Sequence, residues 1–407
     1  MSRGRGKERL SGKGRGGPGG GWREHRAGNA EREQFTGFCR ESGCGTGPCP
    51  ADARRKSLYF RLLISVLPLL SPSIISAAAQ LLPLPAWAGA GYTLRRLPGL
   101  APAPVRPPAY VPWLYLRPVH QALQQWNEGE VLHFFLENET HTVAQLSVYL
   151  SADGHAARSP GRAPFGAVQT APTLPETVLE AFLTTVEASL RTQGVRRLTL
   201  RPHAFAYEPA ASARLATVLG RLGYQTGPVE MNSYLPLSRD YEAYLHPSER
   251  RRLRKCARHG LRFEQEPPLL LPLAYELIAR SRQEKGKPLN MSLEQLQALF
   301  RALPGQVLLF SVRDAAGEWA AVSVVIEVRP DVLYHFLPAS PLAYNHLSPM
   351  VLLNAGLHAF GKASGMRLLD LGISALPTGV DESLLRFKRH LGAVSGLKLT
   401  FSKELGE

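Results

Sequence analysis

Cysteine is scarce in this chain, with 4 residues in 407. Three of them, Cys39, Cys44 and Cys49, follow one another at five-residue steps, without the Cys-x2-Cys pairing or the nearby histidines typical of a zinc site. The fourth, Cys256, stands alone in a basic segment. Thiols so few and so isolated argue against a disulfide scaffold, favour a reducing compartment and give no reason to expect a metal site.

Acidic residues are also scarce relative to basic ones, since 33 Asp and Glu oppose 48 Lys and Arg and leave a net charge of +15. Residues 1–110 hold 17 basic and 6 acidic residues, whereas the rest of the chain holds 31 and 27. The N-terminal stretch is rich in Gly and Arg and has no apolar periodicity. We therefore expect residues 1–105 to be a disordered or artefactual basic leader.

An uncharged run at residues 62–94 follows Arg54, Arg55 and Lys56, which is the outline of a secretory signal or a membrane span. Prolines interrupt the run at positions 68, 72, 83 and 85. Two interpretations stay open: a membrane-associating segment, or part of the leader.

From Val111 onward, strand-like and helix-like segments alternate with short joins, as in an α/β protein. We expect a first half at residues 111–237 and a second half at residues 238–407. The second half contains three apolar runs, "QVLLFSVRD", "WAAVSVVIEV" and "VLYHFLPA", that predict a meander. It continues with a helix beginning near Ser348 and Pro349, a strand "LLDLGIS", a further helix and a closing strand "GLKLTFS".

The segment that precedes the helix near Ser348 and Pro349 has the features of an anion-binding site. Ser348 is a good N-cap residue and Pro349 a good first helical residue, so free backbone N–H groups should point out of the helix start. Such a terminus binds phosphate readily. We expect a cofactor or co-substrate that carries phosphate to bind there, with the surrounding residues Asn345, His346, Leu347, Ser348 and Met350 as the binding set.

The stretch "LLRFKRHLGA" places a lysine where a helix should be apolar. Projected at 100° per residue, Leu384, Leu385, Phe387 and Leu391 share one arc, and Lys388 falls within it. A lysine there either extends its ammonium to solvent or directs it into a cleft, where it can stabilise developing negative charge. Asp370 on the preceding strand is a candidate base or a partner that orients Lys388. Tyr334 and His346 are candidate proton carriers.

The order of meander, helix, strand, helix and strand resembles the GNAT acyltransferase fold. The words "DYEAYLHPSERRRLRKCARHGLRFE", "LLDLGIS" and "LLRFKRHLGA" are similar to the FemAB-like branch, which includes peptidoglycan bridge aminoacyltransferases. The resemblance implies two GNAT-like halves, each a mixed, mostly antiparallel sheet flanked by helices. The family's Asp-aromatic-Gly-Gly motif is altered here, because Leu371 stands at the aromatic position and Ile373 at the second glycine. The long coiled-coil arm of some bridge enzymes is missing from the sequence.

The resemblance also implies roles for particular residues. Lys388 matches the lysine that stabilises the reacting carbonyl oxygen, and Asp370 and Gly372 match the Asp-x-Gly word. Arg251 and Arg254 would bind a phosphorylated acceptor, while Phe165 and Gly166 would line the acceptor cleft together with Tyr334.

The expected activity is transfer of an acyl or aminoacyl group onto an amine, from acyl-CoA as co-substrate or from aminoacyl-tRNA. The resemblance implies no permanently bound cofactor and a small-molecule or cell-envelope precursor amine as acceptor. Such donors place the enzyme in the cytoplasm, with the inner face of the membrane as a second location. The sequence does not indicate an oligomeric state. The alternative is a non-catalytic nucleic-acid or membrane-surface binding protein on a degenerate GNAT scaffold.

Overall fold

The computed structural model describes residues 79–376 and 379–406. The three N-terminal cysteines and about half of the uncharged run lie outside these residues. Within them, no helix is long and apolar enough to cross a membrane. The same residues contain no group of three or more His, Cys, Asp or Glu side chains that could hold a metal ion.

The elements of the first part of the chain follow the predicted α/β alternation. Its strands are β1 (Gln80–Leu82), β2 (Thr93–Pro98), β3 (Val131–Glu137), β4 (Thr142–Leu150), β5 (Ala156–Ser159), β6 (Gln169–Thr170), β7 (Arg197–Leu200) and β8 (Gln225–Thr226). Its α-helices are α1 (Pro118–Leu123), α2 (Glu176–Arg191) and α3 (Pro209–Arg221).

The second part has more strands, and its helices lie close to their predicted positions. Its strands are β9 (Glu230–Pro236), β10 (Arg262–Glu266), β11 (Val307–Arg313), β12 (Trp319–Arg329), β13 (Val332–Ala339), β14 (Leu368–Ile373), β15 (Ala375–Leu376), β16 (Gly379–Val380), β17 (Val394–Lys398) and β18 (Phe401–Glu404). Its α-helices are α4 (Tyr241–Tyr244), α5 (Pro247–Arg258), α6 (Leu271–Glu284), α7 (Leu293–Ala302), α8 (Pro349–Ala363) and α9 (Glu382–His390).

Two mixed sheets organise these elements. The first has the strand order β1-β2-β3-β4-β5-β7-β18-β8, with β6 paired to β4. The second has the order β10-β11-β12-β13-β14-β9-β17, and β15 and β16 form a separate ribbon. Most neighbours are antiparallel, whereas β5–β7 and β13–β14 are parallel pairs. The predicted fold class, two mostly antiparallel sheets flanked by helices, is confirmed.

Helices bury their apolar faces against both sheets. In the first part, Phe182 and Leu183 of α2 pack with strand residues such as Phe134 and Leu146. In the second part, Val351 of α8 packs against the meander strands β11 to β13. Such two-layer packing gives each sheet a core on its helical side.

The expected leader over residues 1–105 extends too far. Strand β2 pairs with β3 along its whole length, and β1 pairs with β2, so residues 80–98 belong to the first sheet. Leu94 of β2 is fully buried in the core of that sheet. The charge count missed these strands because the segment is short, proline-rich and weakly alternating.

The predicted boundary at residues 237 and 238 also needs correction, because the two parts exchange strands. Strand β9 lies in the second sheet between β14 and β17, although it was assigned to the first half. Conversely, β18 lies in the first sheet between β7 and β8. The single predicted closing strand is therefore two strands in different sheets, and the described residues form one compact unit.

Candidate active site

The second sheet opens where its two parallel strands separate. Residues 332–334 of β13 pair with residues 368–370 of β14, and no further pair of these two strands follows. Phe336 is an extra residue in β13, since Val324 of β12 faces Leu337 and the next residue faces His335. In β14, Gly372 has a φ of 72°, a conformation that favours glycine. The bulge at Phe336 and the left-handed backbone at Gly372 leave a wedge-shaped opening between β13 and β14.

A cavity of about 730 Å³ occupies this wedge. The β13 side contributes Tyr334, His335 and Phe336, and the β14 side contributes Gly372 and Ile373. Helices α8 and α9 close the cavity with Met350, Asn354, Leu384, Phe387 and Lys388. The cavity is within the usual range for ligand sites, roughly 300–1,000 Å³.

Lys388 reaches this cavity from α9, whose start is fixed by Asp381. The Asp381 carboxylate accepts a hydrogen bond from the backbone N–H of Leu384 and so caps the helix. Two turns later, Lys388 is only 5% exposed and lies on the buried face with Leu385. The periodicity therefore predicted its position correctly.

The Lys388 ammonium is held at the wall of the wedge. Its Nζ donates to the carbonyl oxygens of Gly372 and Ile373, each at 2.8 Å. Burial lowers the pKa of Lys388 to about 8, although the carboxylates of Asp370 and Asp381 oppose this effect. An ammonium has three N–H donors, so one remains for a ligand in the cavity.

Asp370 does not hydrogen-bond to Lys388 but is satisfied by other groups. Its carboxylate accepts from the Tyr207 hydroxyl at 2.5 Å, from Asn232 Nδ2 at 2.9 Å and from the backbone N–H of Gly372 at 2.7 Å. Two of these donors reach Oδ1 and one reaches Oδ2. Because a carboxylate offers about four acceptor positions, Oδ2 has one left.

A second, smaller cavity of about 230 Å³ adjoins the first. Phe165, Arg201 and Tyr207 line it from the first part of the chain, and Asp370 and Lys398 line it from the second. Both cavities are lined by Tyr334, Gly372 and Ile373. The smaller cavity therefore lies beside the wedge, and two ligands could meet at these three residues.

The comparisons with known proteins agree with this geometry. Residues 248–389 match the family model described as the acetyltransferase (GNAT) domain. This part of the chain is a GNAT domain. No curated protein matches the sequence.

The likeness to one solved structure, FemX, extends beyond the GNAT domain. FemX has a TM-score of 0.57 at 11% identity, over 73% of this chain and 94% of FemX. The C-terminal domain of a putative lysylphosphatidylglycerol synthetase from Agrobacterium fabrum has a TM-score of 0.47 at 12% identity, over 64% of this chain and 80% of that one. A tandem GNAT protein from the clavulanic acid biosynthesis pathway has a TM-score of 0.43 at 14% identity, over 77% and 99%.

The predicted donor loop of the GNAT domain differs from its expected geometry. Ser348 has a left-handed conformation, with φ 59° and ψ 50°, and its side chain does not cap α8. The expectation of a serine N-cap was wrong, because Ser348 Oγ instead donates to the carbonyl of Asn345 at 3.4 Å. The carbonyls of His346 and Leu347 accept from Lys255 Nζ and Cys256 Sγ of α5. Of the five predicted donor residues, Met350 lines the larger cavity.

Three predicted acceptor residues lie away from both cavities. Arg251 and Arg254 are exposed on α5 and line neither cavity. Gly166 lies next to Phe165, but a Cβ at this position would meet Pro160 and the Ser159 hydroxyl within 3 Å. The glycine thus serves close packing, whereas Phe165 and Tyr334 line the smaller cavity.

Sequence reasoning missed two buried polar side chains of the GNAT domain. Burial lowers the pKa of His335 to about 3, so its imidazole is neutral. Among the described residues, neither His335 Nε2 nor Asn354 Oδ1 has a hydrogen-bond partner, and both residues line the larger cavity. A histidine within the apolar run "VLYHFLPA" was the available signal. Arg282 and Lys287 also line this cavity, and in the sequence they look like ordinary surface residues.

Proposed function

We propose that the protein is an N-acyltransferase that moves an acyl or aminoacyl group from acyl-CoA or aminoacyl-tRNA onto an amine. The observation that carries the proposal is the buried Lys388 ammonium beside the wedge, with one N–H left for a ligand. A fixed cation in a site with little water stabilises the charge that forms on a carbonyl oxygen under attack.

The donor would occupy the larger cavity, with its carbonyl oxygen near Lys388. Arg282 and Lys287 line the same cavity, and both acyl-CoA and aminoacyl-tRNA carry phosphates that such cations attract. His335 and Asn354 add two buried polar side chains to the wall of the same cavity.

The acceptor would occupy the smaller cavity, so that its nitrogen meets the carbonyl carbon beside Tyr334 and Gly372. The nitrogen lone pair forms the new C–N bond, and the bond from the carbonyl carbon to the donor's sulfur or oxygen breaks. The proton that the nitrogen loses ends on this departing atom, giving a free thiol or hydroxyl. Asp370 holds the amine through its remaining acceptor position. Positioning of two bound partners in this way supplies much of the rate of acyl transfer.

A cavity-filling variant tests this assignment. Ala375 is exposed and lines the larger cavity, so Ala375→Trp should obstruct the donor without disturbing a core. Ala257, an exposed alanine on α5 that does not line this cavity, gives the matched control Ala257→Trp. We expect acyl-CoA binding by calorimetry, or charged-tRNA binding by filter retention, to weaken roughly tenfold or more in the first variant only. Equal donor binding by both variants and the unaltered protein would refute the donor site. Failure of every donor to bind would favour a non-catalytic scaffold.

A further inference from the structure

A second lysine, Lys398, lines the smaller cavity. Lys398 ends β17, and its Nζ donates to the backbone carbonyl of Pro164 at 3.0 Å. Within the described ranges, residues 79–376 and 379–406, Lys398 forms no ion pair. Burial, together with the nearby Arg201 guanidinium, lowers the pKa of Lys398 to about 8, although the carboxylates of Asp370 and Glu230 oppose this effect. A partly buried ammonium with spare donors is costly unless something pairs with it.

Arg201 brings a second cation to the same cavity. Its Nη2 pairs with the Glu230 carboxylate at 2.6 Å. Its Nε is buried and has no hydrogen-bond partner among the described residues. Two cations therefore face one cavity, while only one of them has an acidic partner. The reaction proposed above uses neither.

The opposite charge in this cavity belongs to Asp370, which lines it together with Lys398 and Arg201. Asp370 receives only neutral donors, and its Oδ2 can accept one more hydrogen bond. The cavity therefore offers an acceptor position for an amine and donors for an anion. Its volume of about 230 Å³ is below the roughly 300–1,000 Å³ of sites for drug-sized ligands. It suits a fragment of amino-acid size.

We propose that Lys398 and Arg201 bind an anionic group of the acceptor, so that the acceptor is an amine that also carries a carboxylate or a phosphate. The inference rests on the proposed acyl transfer to an amine and names the substrate class. The amine lies at Asp370, close to the residues shared with the donor cavity, and the anionic group lies at Lys398. The acceptor is either a small zwitterion or the amino-acid-like end of a larger molecule.

Two pairs of small acceptors distinguish a carboxylate from a phosphate as the anionic group of the acceptor. The first pair is 3-aminopropanoate and propylamine, which differ by a carboxylate; the second is phosphoethanolamine and ethanolamine, which differ by a phosphate. With acetyl-CoA or a charged tRNA as donor, we expect kcat/KM for the anionic member of one pair to exceed that of its neutral partner by about tenfold to 100-fold, the scale of one or two charge-assisted hydrogen bonds. The preferred pair identifies the anionic group.

Lys398→Met should abolish this preference by lowering kcat/KM for the anionic acceptor about tenfold to 100-fold, with the neutral acceptor unchanged. Lys398→Arg keeps the charge and should keep most of the preference. Lys362→Met, at an exposed lysine of α8 that lines neither cavity, is the matched control and should behave like the unaltered protein. Loss of the preference in Lys398→Arg as fully as in Lys398→Met would assign the effect to packing and overturn the proposal.

Binding without a donor separates this inference from the proposed function. Saturation-transfer NMR should detect the preferred anionic acceptor on the unaltered protein and on Lys362→Met, but not on Lys398→Met. Binding with this pattern but without product formation would support the anion pocket and refute acyl transfer. Equal binding and equal rates for the anionic and neutral members of both pairs would overturn the pocket while leaving acyl transfer intact.

Discussion

Lys388→Met separates a catalytic ammonium from a structural one. Methionine keeps an unbranched stem of similar length, so α9 should pack as before. If the ammonium stabilises the carbonyl oxygen during attack, its removal should lower kcat about 10²- to 10³-fold, the usual loss for one oxyanion donor. Donor affinity should change little, because the interaction forms mainly in the transition state. Lys388→Arg should restore only part of the rate, since a planar guanidinium does not fit the place of a compact ammonium.

The structure also sets the expected stability of this variant. The Lys388 pKa falls from 10.5 to about 8, which corresponds to about 3 kcal/mol against burying the charge. Against this gain, the carbonyls of Gly372 and Ile373 lose a donor, at about 1–3 kcal/mol for each buried group. The two effects nearly cancel. We expect the melting temperature of Lys388→Met at pH 7 to stay within a few degrees of the unaltered protein.

The pH dependence gives a second signature with a definite sign. Between pH 8 and 10.5 the unfolded protein binds more protons at Lys388 than the folded protein does, so the unaltered protein should gain stability relative to Lys388→Met as pH rises through this window. Its kcat should fall over the same rise, because the charged form is lost above about pH 8. Denaturant unfolding and rate profiles at several pH values measure both. A well-folded Lys388→Met protein with full activity would refute the oxyanion role.

Two further variants test the surroundings of the site and the first sheet. Asp370→Asn should lower the melting temperature by a few degrees, because an amide cannot accept hydrogen bonds from all three groups that now donate to the carboxylate. If raising the pH restored the reaction rate of this variant, a role of Asp370 in holding the amine would be contradicted. Leu94→Ala should cost about 2–5 kcal/mol in urea unfolding, since Leu94 is 0% exposed. Leu81→Ala, at a leucine on β1 that is 58% exposed, should leave the free energy of unfolding almost unchanged. Equal losses of unfolding free energy in the two leucine variants would contradict the assignment of residues 80–98 to the first sheet.

Local periodicity explains why so much of the second part could be predicted from the sequence. The meander strands come from apolar runs bounded by turns, and the observed limits of β11 to β13 lie within a residue or two of these runs. Helix α9 follows the same logic, because a spacing of 3.6 residues places Leu385 and Lys388 on one face whatever the helix packs against. These features depend on neighbours in sequence alone.

Pairing between distant segments explains the features that could not be predicted. The three donors to Asp370 include Tyr207 and Asn232, which lie 163 and 138 residues away. The exchange of β9 and β18 between the sheets is of the same kind, since a strand's alternation shows which face is apolar but not which neighbour it pairs with. The prediction of an N-cap at Ser348 was wrong for a different reason. The preference for serine describes the average helix start, whereas here the residue before α8 has a left-handed conformation.

The contrast between the two lysines of the site follows from this distinction. Lys388 could be recognised as a candidate from the sequence, because helical periodicity places its charge among apolar residues. Lys398 could not be recognised, because the end of an alternating strand is an ordinary place for a lysine. Its position becomes unusual only through β18, which joins the first sheet directly after β17 and leaves Lys398 between the two sheets, where it faces Asp370. The smaller cavity is thus a consequence of the strand exchange, and only the tertiary structure could bring its charges together.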